Sequence, residues 1–149
     1  MKFKFRLETV LGHRRSLEEL AQIDFQAAQA RLRGAMQVVE QLSGQKKLSR
    51  ERLCTVQTKG GLITPEAQSI AQFLTGQDIL ILRARKTVQD LEMEAEQKRM
   101  LLVEAAKGVK ILERLREKNV IEFKKEQTQK ETKMLDDMVV MRNARNNRE

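Results

Sequence analysis

Positions of one hydrophobic stripe recur along the second half of the chain at alternating steps of four and three residues. With a few polar exceptions they are apolar, and the stripe runs through Leu74, Gln77, Ile81, Ala84, Val88, Leu91, Ala95, Lys98, Leu102, Ala105, Val109, Leu112, Arg116, Asn119 and Phe123. A spacing that averages about three and a half residues is typical of the seam of a left-handed coiled coil. Because a stripe this narrow cannot bury itself, the pattern predicts a partner helix.

A similar stripe begins near Leu7 in the first half of the chain. It runs through Leu7, Val10, Arg14, Leu17, Ala21, Phe25, Ala28, Leu32, Ala35, Val39, Leu42, Lys46, Ser49, Leu53 and Val56. Two steps of four follow each other between Leu17 and Phe25, which predicts a local change in the phase of the seam. Residues 1–6 fit either an extended lead-in or a frayed first turn.

One segment between the two stripes combines a helix stop with a helix start. Gly60 and Gly61 can adopt the left-handed turn that ends a helix, while Thr64 suits an N-cap and Pro65 the first helical position. We therefore predict helix one at about 7–58, a turn at about 59–64 and helix two at about 65–145, in a single coiled-coil domain over 1–149.

Folding the two helices back on each other gives a testable register. If the turn centres near Leu62, residue i faces a residue near 124 − i, so the region of Glu117 faces Leu7. The second seam ends at Phe123, and residues 124–133 contain no apolar side chain. The predicted fold is all-α, an antiparallel two-helix coiled-coil hairpin whose longer second helix overhangs, unpaired, beyond about residue 123.

The composition fits long helices packed along narrow seams better than a globular core. Of 149 residues, 40% are apolar, 34% charged and 3% aromatic, and the net charge of +8 favours acidic partners. Cys54 is the single cysteine, which favours a reducing cytoplasm. The longest aliphatic run, 79–82, is far shorter than the ~20 residues that span a bilayer. We expect a soluble intracellular protein.

Candidate chemistry is sparse. A single histidine, His13, and the single Cys54 offer neither a metal-ligand cluster nor a catalytic pair, and neither GxxxxGK[ST] nor GxGxxG occurs. We therefore expect no enzyme activity, no metal and no cofactor.

Basic residues form two clusters, which are either solvated faces or docking surfaces. The terminal cluster contains Lys2, Lys4, Arg6, Arg14, Arg15, Lys118, Lys124, Lys125, Lys130 and Lys133, and the cluster near the turn contains Lys46, Lys47, Arg50, Arg52 and Lys59. No aromatic side chain is interleaved with the latter, so nucleic acid is not the expected partner. The apolar segment 134–141 is a dimer contact, a frayed tail or a docking patch for a partner protein.

Several blocks of this sequence resemble the FliJ family, a component of the flagellar type III export apparatus. They are the opening 5–11 (FRLETVL), the segment 70–74 (IAQFL) after the turn, and the closing 133–137 (KMLDD) followed by Arg142. The resemblance covers nearly the whole chain, in order. It implies an antiparallel coiled coil that resembles the gamma stalk of rotary ATPases, cytoplasmic and peripheral to the inner membrane at the flagellar base.

The resemblance also implies partners. Family members enter and activate the hexameric flagellar export ATPase, contact the membrane export-gate protein FlhA and escort export chaperones. For gate contact the matching positions are Leu42 and Phe73, whereas Gln45, Ser49 and Gln77 are more polar than the family's pattern.

For ring docking we expect a set of residues at the terminal end, Arg14, Arg15, Lys124, Lys125, Leu135, Met138, Val139 and Met141. An RNA-binding helical arm and a purely structural dimeric coiled coil are the alternatives. A related injectisome stalk protein would share these patterns.

Overall fold

Two long helices make up the fold. The computed structural model of the chain describes residues 2–61 and 64–146, in which α1 spans Glu8–Gly60 and α2 spans Pro65–Asn146. No strand occurs within those ranges. The predicted fold class, an all-α antiparallel two-helix coiled-coil hairpin, is confirmed. The predicted turn centre at Leu62 lies outside the described residues, and the likeness to a gamma stalk stays a prediction.

Local backbone chemistry explains where α1 ends and α2 begins. Gly61 has a φ of +88°, a left-handed conformation that L side chains rarely adopt, and its N–H donates to the carbonyl of Gln57 at 3.1 Å. Thr64 Oγ1 accepts from the backbone N–H of Ala67 at 3.1 Å, which caps α2, and Pro65 occupies the first helical position. The stop and the start are therefore encoded by the residues themselves.

The chain divides into two compact units, which we name by their ends. The terminal unit comprises Met1–Glu18 and Glu104–Glu149, and the turn unit comprises Glu19–Val103. Each contains one stretch of α1 packed against one stretch of α2. The prediction of a single domain with an unpaired second helix beyond about residue 123 stays a prediction.

In the turn unit the seam buries small and aliphatic side chains. Ala28, Ala67, Ile81 and Ala95 are each at most 6% exposed. Ion pairs flank the seam in the register that the turn position predicts. Lys46 pairs with Asp78, whose numbers add to 124, and Arg31 Nη2 lies 2.8 Å from Glu94 Oε1, whose numbers add to 125.

A more aromatic core closes the terminal unit. Phe5, Leu11 and Val109 are buried together, and Phe3, Leu7 and Leu112 pack against them. The rings of Phe3 and Phe123 lie 5.6 Å apart between centroids, which is within the favourable range for an aromatic pair. Arg116 Nε donates to Glu8 Oε2 at 3.2 Å, and these two numbers again add to 124.

The predicted phase change in the first seam is wrong. Leu11 is fully buried whereas Val10 is 44% exposed, and Glu18 is half-buried whereas Leu17 is 41% exposed. With Leu11 and Glu18 as seam positions, steps of four and three alternate from Leu7 onward without interruption. Adjacent apolar residues at 10 and 11 left the choice open, and the contact with Val109 decides it.

The C-terminal part of α2 is exposed throughout. Phe123 is the last half-buried apolar side chain, and every side chain from Thr128 to Arg145 is exposed. The helix nevertheless continues to Asn146. Among the described residues of the terminal unit, this stretch therefore buries none of its side chains.

A buried glutamine in the turn-unit seam yields a stability prediction. Gln77 is 3% exposed, and its Nε2 donates to Gln45 Oε1 at 2.9 Å and to the carbonyl of Leu42 at 3.4 Å. A polar seam residue favours one register at a cost in stability. Gln77→Leu should therefore leave the free energy of unfolding unchanged or raise it by up to ~1 kcal/mol, because Gln45 is exposed and can bond water instead.

Gln77→Ala should lower the free energy of unfolding by about 1–2 kcal/mol, because it removes buried atoms without replacing them. Urea denaturation followed by circular dichroism measures both variants, with exposed Thr75→Ala as the control. If Gln77→Leu lowers the free energy of unfolding more than Gln77→Ala does, the hydrogen bonds themselves stabilise the seam.

Candidate functional site

The exposed end of α2 carries a row of large apolar side chains, which we call the C-terminal stripe. Its members are Met134, Leu135, Met138, Val139 and Met141, and each is 57–69% exposed. Residues 134, 138 and 141 follow the spacing that places helical side chains on one face. Flexible methionines adapt to the shape of a partner, so the stripe is suited to protein binding.

The predicted terminal cations differ in how free their charges are. Arg14 lies along α2, where a Cβ added to Gly108 would stand 3.6 Å from its Nη1. Arg15 Nη2 pairs with Glu113 Oε1 at 3.0 Å. Lys124 and Lys125 are exposed, and in the described part of the chain neither ammonium group has an acidic partner within 4 Å. The two lysines therefore offer the freest charges beside the exposed helix.

A second apolar surface lies in the turn unit, and we call it the Phe73 face. Phe73 is 49% exposed, and Leu80, seven residues later on the same side of α2, is 46% exposed. Leu42 is half-buried, and its carbonyl accepts from Gln77, whose side chain is turned into the seam. Leu48, 67% exposed, stands opposite Gly76 in the observed register.

The family resemblance implied Leu42 and Phe73 for gate contact, and it did not include Leu48 and Leu80, which the structure adds to this face. The seven-residue spacing from Phe73 to Leu80 was the available signal, but Leu80 precedes the seam residue Ile81 and lies in a continuous aliphatic run. The polar Gln77, which set this surface apart from the family's pattern, is buried and contributes little to the exposed face.

Only part of the predicted basic cluster near the turn lies together in the structure. The other side of the turn unit forms a groove, the basic groove, lined by Ser43, Lys46, Lys47 and Arg50 of α1 and by Asp78, Ile81, Leu82 and Arg85 of α2. Three residues of the predicted cluster thus lie together with Arg85, which the sequence did not single out. Arg52 instead pairs with Glu66, Nη2 to Oε1, at 3.0 Å.

Titration is perturbed at one exposed pair within α2. Arg99 donates to both carboxylate oxygens of Glu96, at 2.9 and 2.7 Å, and this hydrogen bonding lowers the pKa of Glu96 below its ordinary value. The same contact raises the pKa of Arg99. The two residues are three apart on one helix and belong to none of the C-terminal stripe, the Phe73 face and the basic groove, so they form a local helix contact.

Metal-binding and membrane-spanning features are absent from the described ranges. No group of three or more His, Cys, Asp or Glu side chains there could hold a metal ion, and both His13 and Cys54 are exposed. Neither helix, over its described residues, includes a stretch apolar and long enough to cross a bilayer.

Comparison with known proteins identifies one family. The family described as Flagellar FliJ protein matches residues 3–148, which is nearly the entire chain. No curated protein and no solved structure matches the chain.

Proposed function

Since this chain belongs to the flagellar FliJ family, we propose that it is the stalk-like activator and assembly factor of the flagellar export ATPase. A role related to flagellar protein export follows from the family. The proposal adds that the chain docks in the hexameric ATPase ring, links the ring to the membrane export-gate protein FlhA and escorts export chaperones. It would then work in the cytoplasm, peripheral to the inner membrane.

The observation that carries the ring-docking proposal is the exposed helix beyond Phe123. A helix that buries none of its side chains in its own unit from Thr128 to Arg145 is stabilised poorly by packing, and a partner surface would supply the missing contacts. Lys124 and Lys125 would steer this end toward an acidic ring, and Arg14 and Arg15 on α1 would add to the positive charge of the same unit.

Apolar contact would supply most of the affinity. Leu135, Met138, Val139 and Met141 are largely exposed, and burying such side chains at an interface contributes about 25 cal/mol for each Å² of apolar surface removed from water. The cations would thus guide the approach to the ring, and burial of the C-terminal stripe would then hold the complex together. Truncation of this segment tests this mechanism.

Gate contact is proposed for the Phe73 face, through Leu42 and Phe73. Phe73 is half-exposed, so a partner that covers its ring would gain about 25 cal/mol for each Å² of apolar surface removed from water. Leu48 and Leu80 extend this face, so the contact would be apolar, with Gln77 holding the helix backbone beneath it.

Phe73→Ala is expected to weaken binding of the purified gate protein by ~10–100-fold, because truncating an aromatic anchor costs about 1.4–3 kcal/mol. Isothermal titration calorimetry measures the dissociation constant. Met93→Ala is the matched control, since Met93 is similarly exposed, 62%, on α2 in the same unit. Equal affinity of Phe73→Ala and the unmodified chain would contradict the assignment of this face.

A purely structural dimer is the second candidate, because the same C-terminal stripe could pack against its copy. Light scattering over a range of concentrations distinguishes the two. A dimer that dissociates when Met138 is replaced by Lys, together with no effect on the export ATPase, would favour the structural function.

A further inference from the structure

The basic groove lies on the flank of the turn unit opposite the Phe73 face. On α2, Phe73 and Leu80 each precede a seam residue by one position, whereas Asp78 and Leu82 each follow one. The two sets therefore flank the seam on opposite sides. Neither the proposed ring contact nor the proposed gate contact uses the groove, and the proposed escort of chaperones has not been assigned to any surface.

The groove carries an excess of unpaired positive charge. Four cations and one carboxylate line it, which leaves a net charge of +3. Lys46 is the partner of Asp78, so the single acid is already neutralised. In the part of the chain that the structure describes, Lys47, Arg50 and Arg85 have no acidic side chain within 4 Å.

Apolar surface lies between these cations. Ile81, 6% exposed, forms the floor as part of the seam, and Leu82, 67% exposed, stands beside it. A ligand recognised by charge alone would gain nothing from covering Leu82. The combination fits a partner that is both acidic and apolar along one side.

Protein fits this chemistry better than nucleic acid. None of the lining residues is aromatic, so the groove lacks the aromatic side chains on which proteins that bind single-stranded nucleic acid stack the bases. Two antiparallel helices also leave between them a groove of the width that a third helix fills.

We infer that the basic groove binds an acidic amphipathic helix of a partner protein, which lies along the two helices of the turn unit as a third helix of the coiled coil. Apolar residues of that helix, spaced at three and four, cover Ile81 and Leu82. Its carboxylates pair with Lys47 and Arg50 on one side and with Arg85 on the other. Asp78 to Arg85 is about 10 Å along α2, so two to three turns of the partner suffice.

The test uses the full chain and a synthetic probe of defined chemistry. The probe is a labelled peptide with Leu at helical i, i+3, i+4 and i+7 positions and Glu at the others, and its partner probe is a scrambled peptide of the same composition. Fluorescence anisotropy gives the dissociation constants at ~0.15 M salt. The amphipathic peptide should bind at least ~10-fold more tightly than the scrambled one.

Two groove variants separate charge from apolar contact. The triple variant Lys47→Glu, Arg50→Glu, Arg85→Glu should weaken binding of the amphipathic peptide by ~100-fold or more, because three attractions become repulsions. Leu82→Ser should weaken it by ~10-fold through lost apolar burial. Circular dichroism melting checks that each variant folds as the unmodified chain does.

A matched charge reversal controls for long-range electrostatics. Arg33→Glu, Arg83→Glu and Lys110→Glu make the same change in net charge at exposed positions outside the groove, and this variant should retain most of the affinity. The inference is overturned if both triple variants weaken binding equally, if the scrambled peptide binds as well, or if Leu82→Ser has no effect. A single-stranded RNA oligomer that binds more tightly and displaces the peptide would also overturn it.

Discussion

A chain that ends at Phe123 should lose its stimulation of the flagellar export ATPase, with binding to the purified ring weakened by at least ~100-fold. The truncation removes Lys124, Lys125 and the whole C-terminal stripe, hence both the steering charges and the apolar contacts of the proposed interface. When several anchor residues that each contribute about 1–2 kcal/mol are removed together, binding weakens by at least ~100-fold. ATP hydrolysis rates and pull-down with the purified ATPase measure the effect.

Two controls make the truncation specific. Because the side chains from Thr128 to Arg145 are exposed, the shortened chain should melt at nearly the same temperature as the full one. A chain ending at Met141 lacks only the polar 142–149 and should keep most of the stimulation. If the chain that ends at Phe123 still stimulates the ATPase fully, the exposed helix has no part in ring docking.

Leu11→Ala should lower the free energy of unfolding by about 3 kcal/mol, whereas Val10→Ala, its neighbour, should lower it by less than ~1 kcal/mol. Leu11 is fully buried in one cluster with Phe5 and Val109, so its truncation leaves a cavity, while Val10 is 44% exposed and its truncation does not. Urea denaturation followed by circular dichroism measures both.

Hydrogen exchange shows which part of the chain Leu11→Ala destabilises. Amide protection should fall chiefly in the terminal unit, Met1–Glu18 and Glu104–Glu149, because the cavity lies in that unit's own core. Equal losses for Leu11→Ala and Val10→Ala would mean that the seam passes between the two residues, and the uninterrupted four-and-three spacing would then be wrong.

The sequence showed which basic residues cluster near the turn, but it did not show which of them share one surface. Lys46, Lys47, Arg50 and Arg52 form one cluster in sequence, yet Arg52 pairs with Glu66 while the others share a groove with Arg85. Sequence proximity on a helix does not tell which flank a residue faces, because consecutive residues are about 100° apart around the axis. Only the seam, once located in both helices, assigns each cation to a side.

The amino-acid sequence by itself determined the fold class, the helical period and the register. Every predicted seam position of α2 except Arg116 is buried or half-buried, because a repeat of three and four residues admits one arrangement on a helix. Gly61, Thr64 and Pro65 act through their own backbone preferences, which need no distant contact.

Only the tertiary structure decided which side chains form the core of the terminal unit. Val10 and Leu11 are both apolar and adjacent, and the lead-in containing Phe5 alternates apolar and basic residues without a helical period, so local pattern did not show which of these side chains is buried. Phe5 and Leu11 are buried because they pack in one cluster with Val109, which is nearly a hundred residues away, and packing against a distant surface is not encoded in either segment.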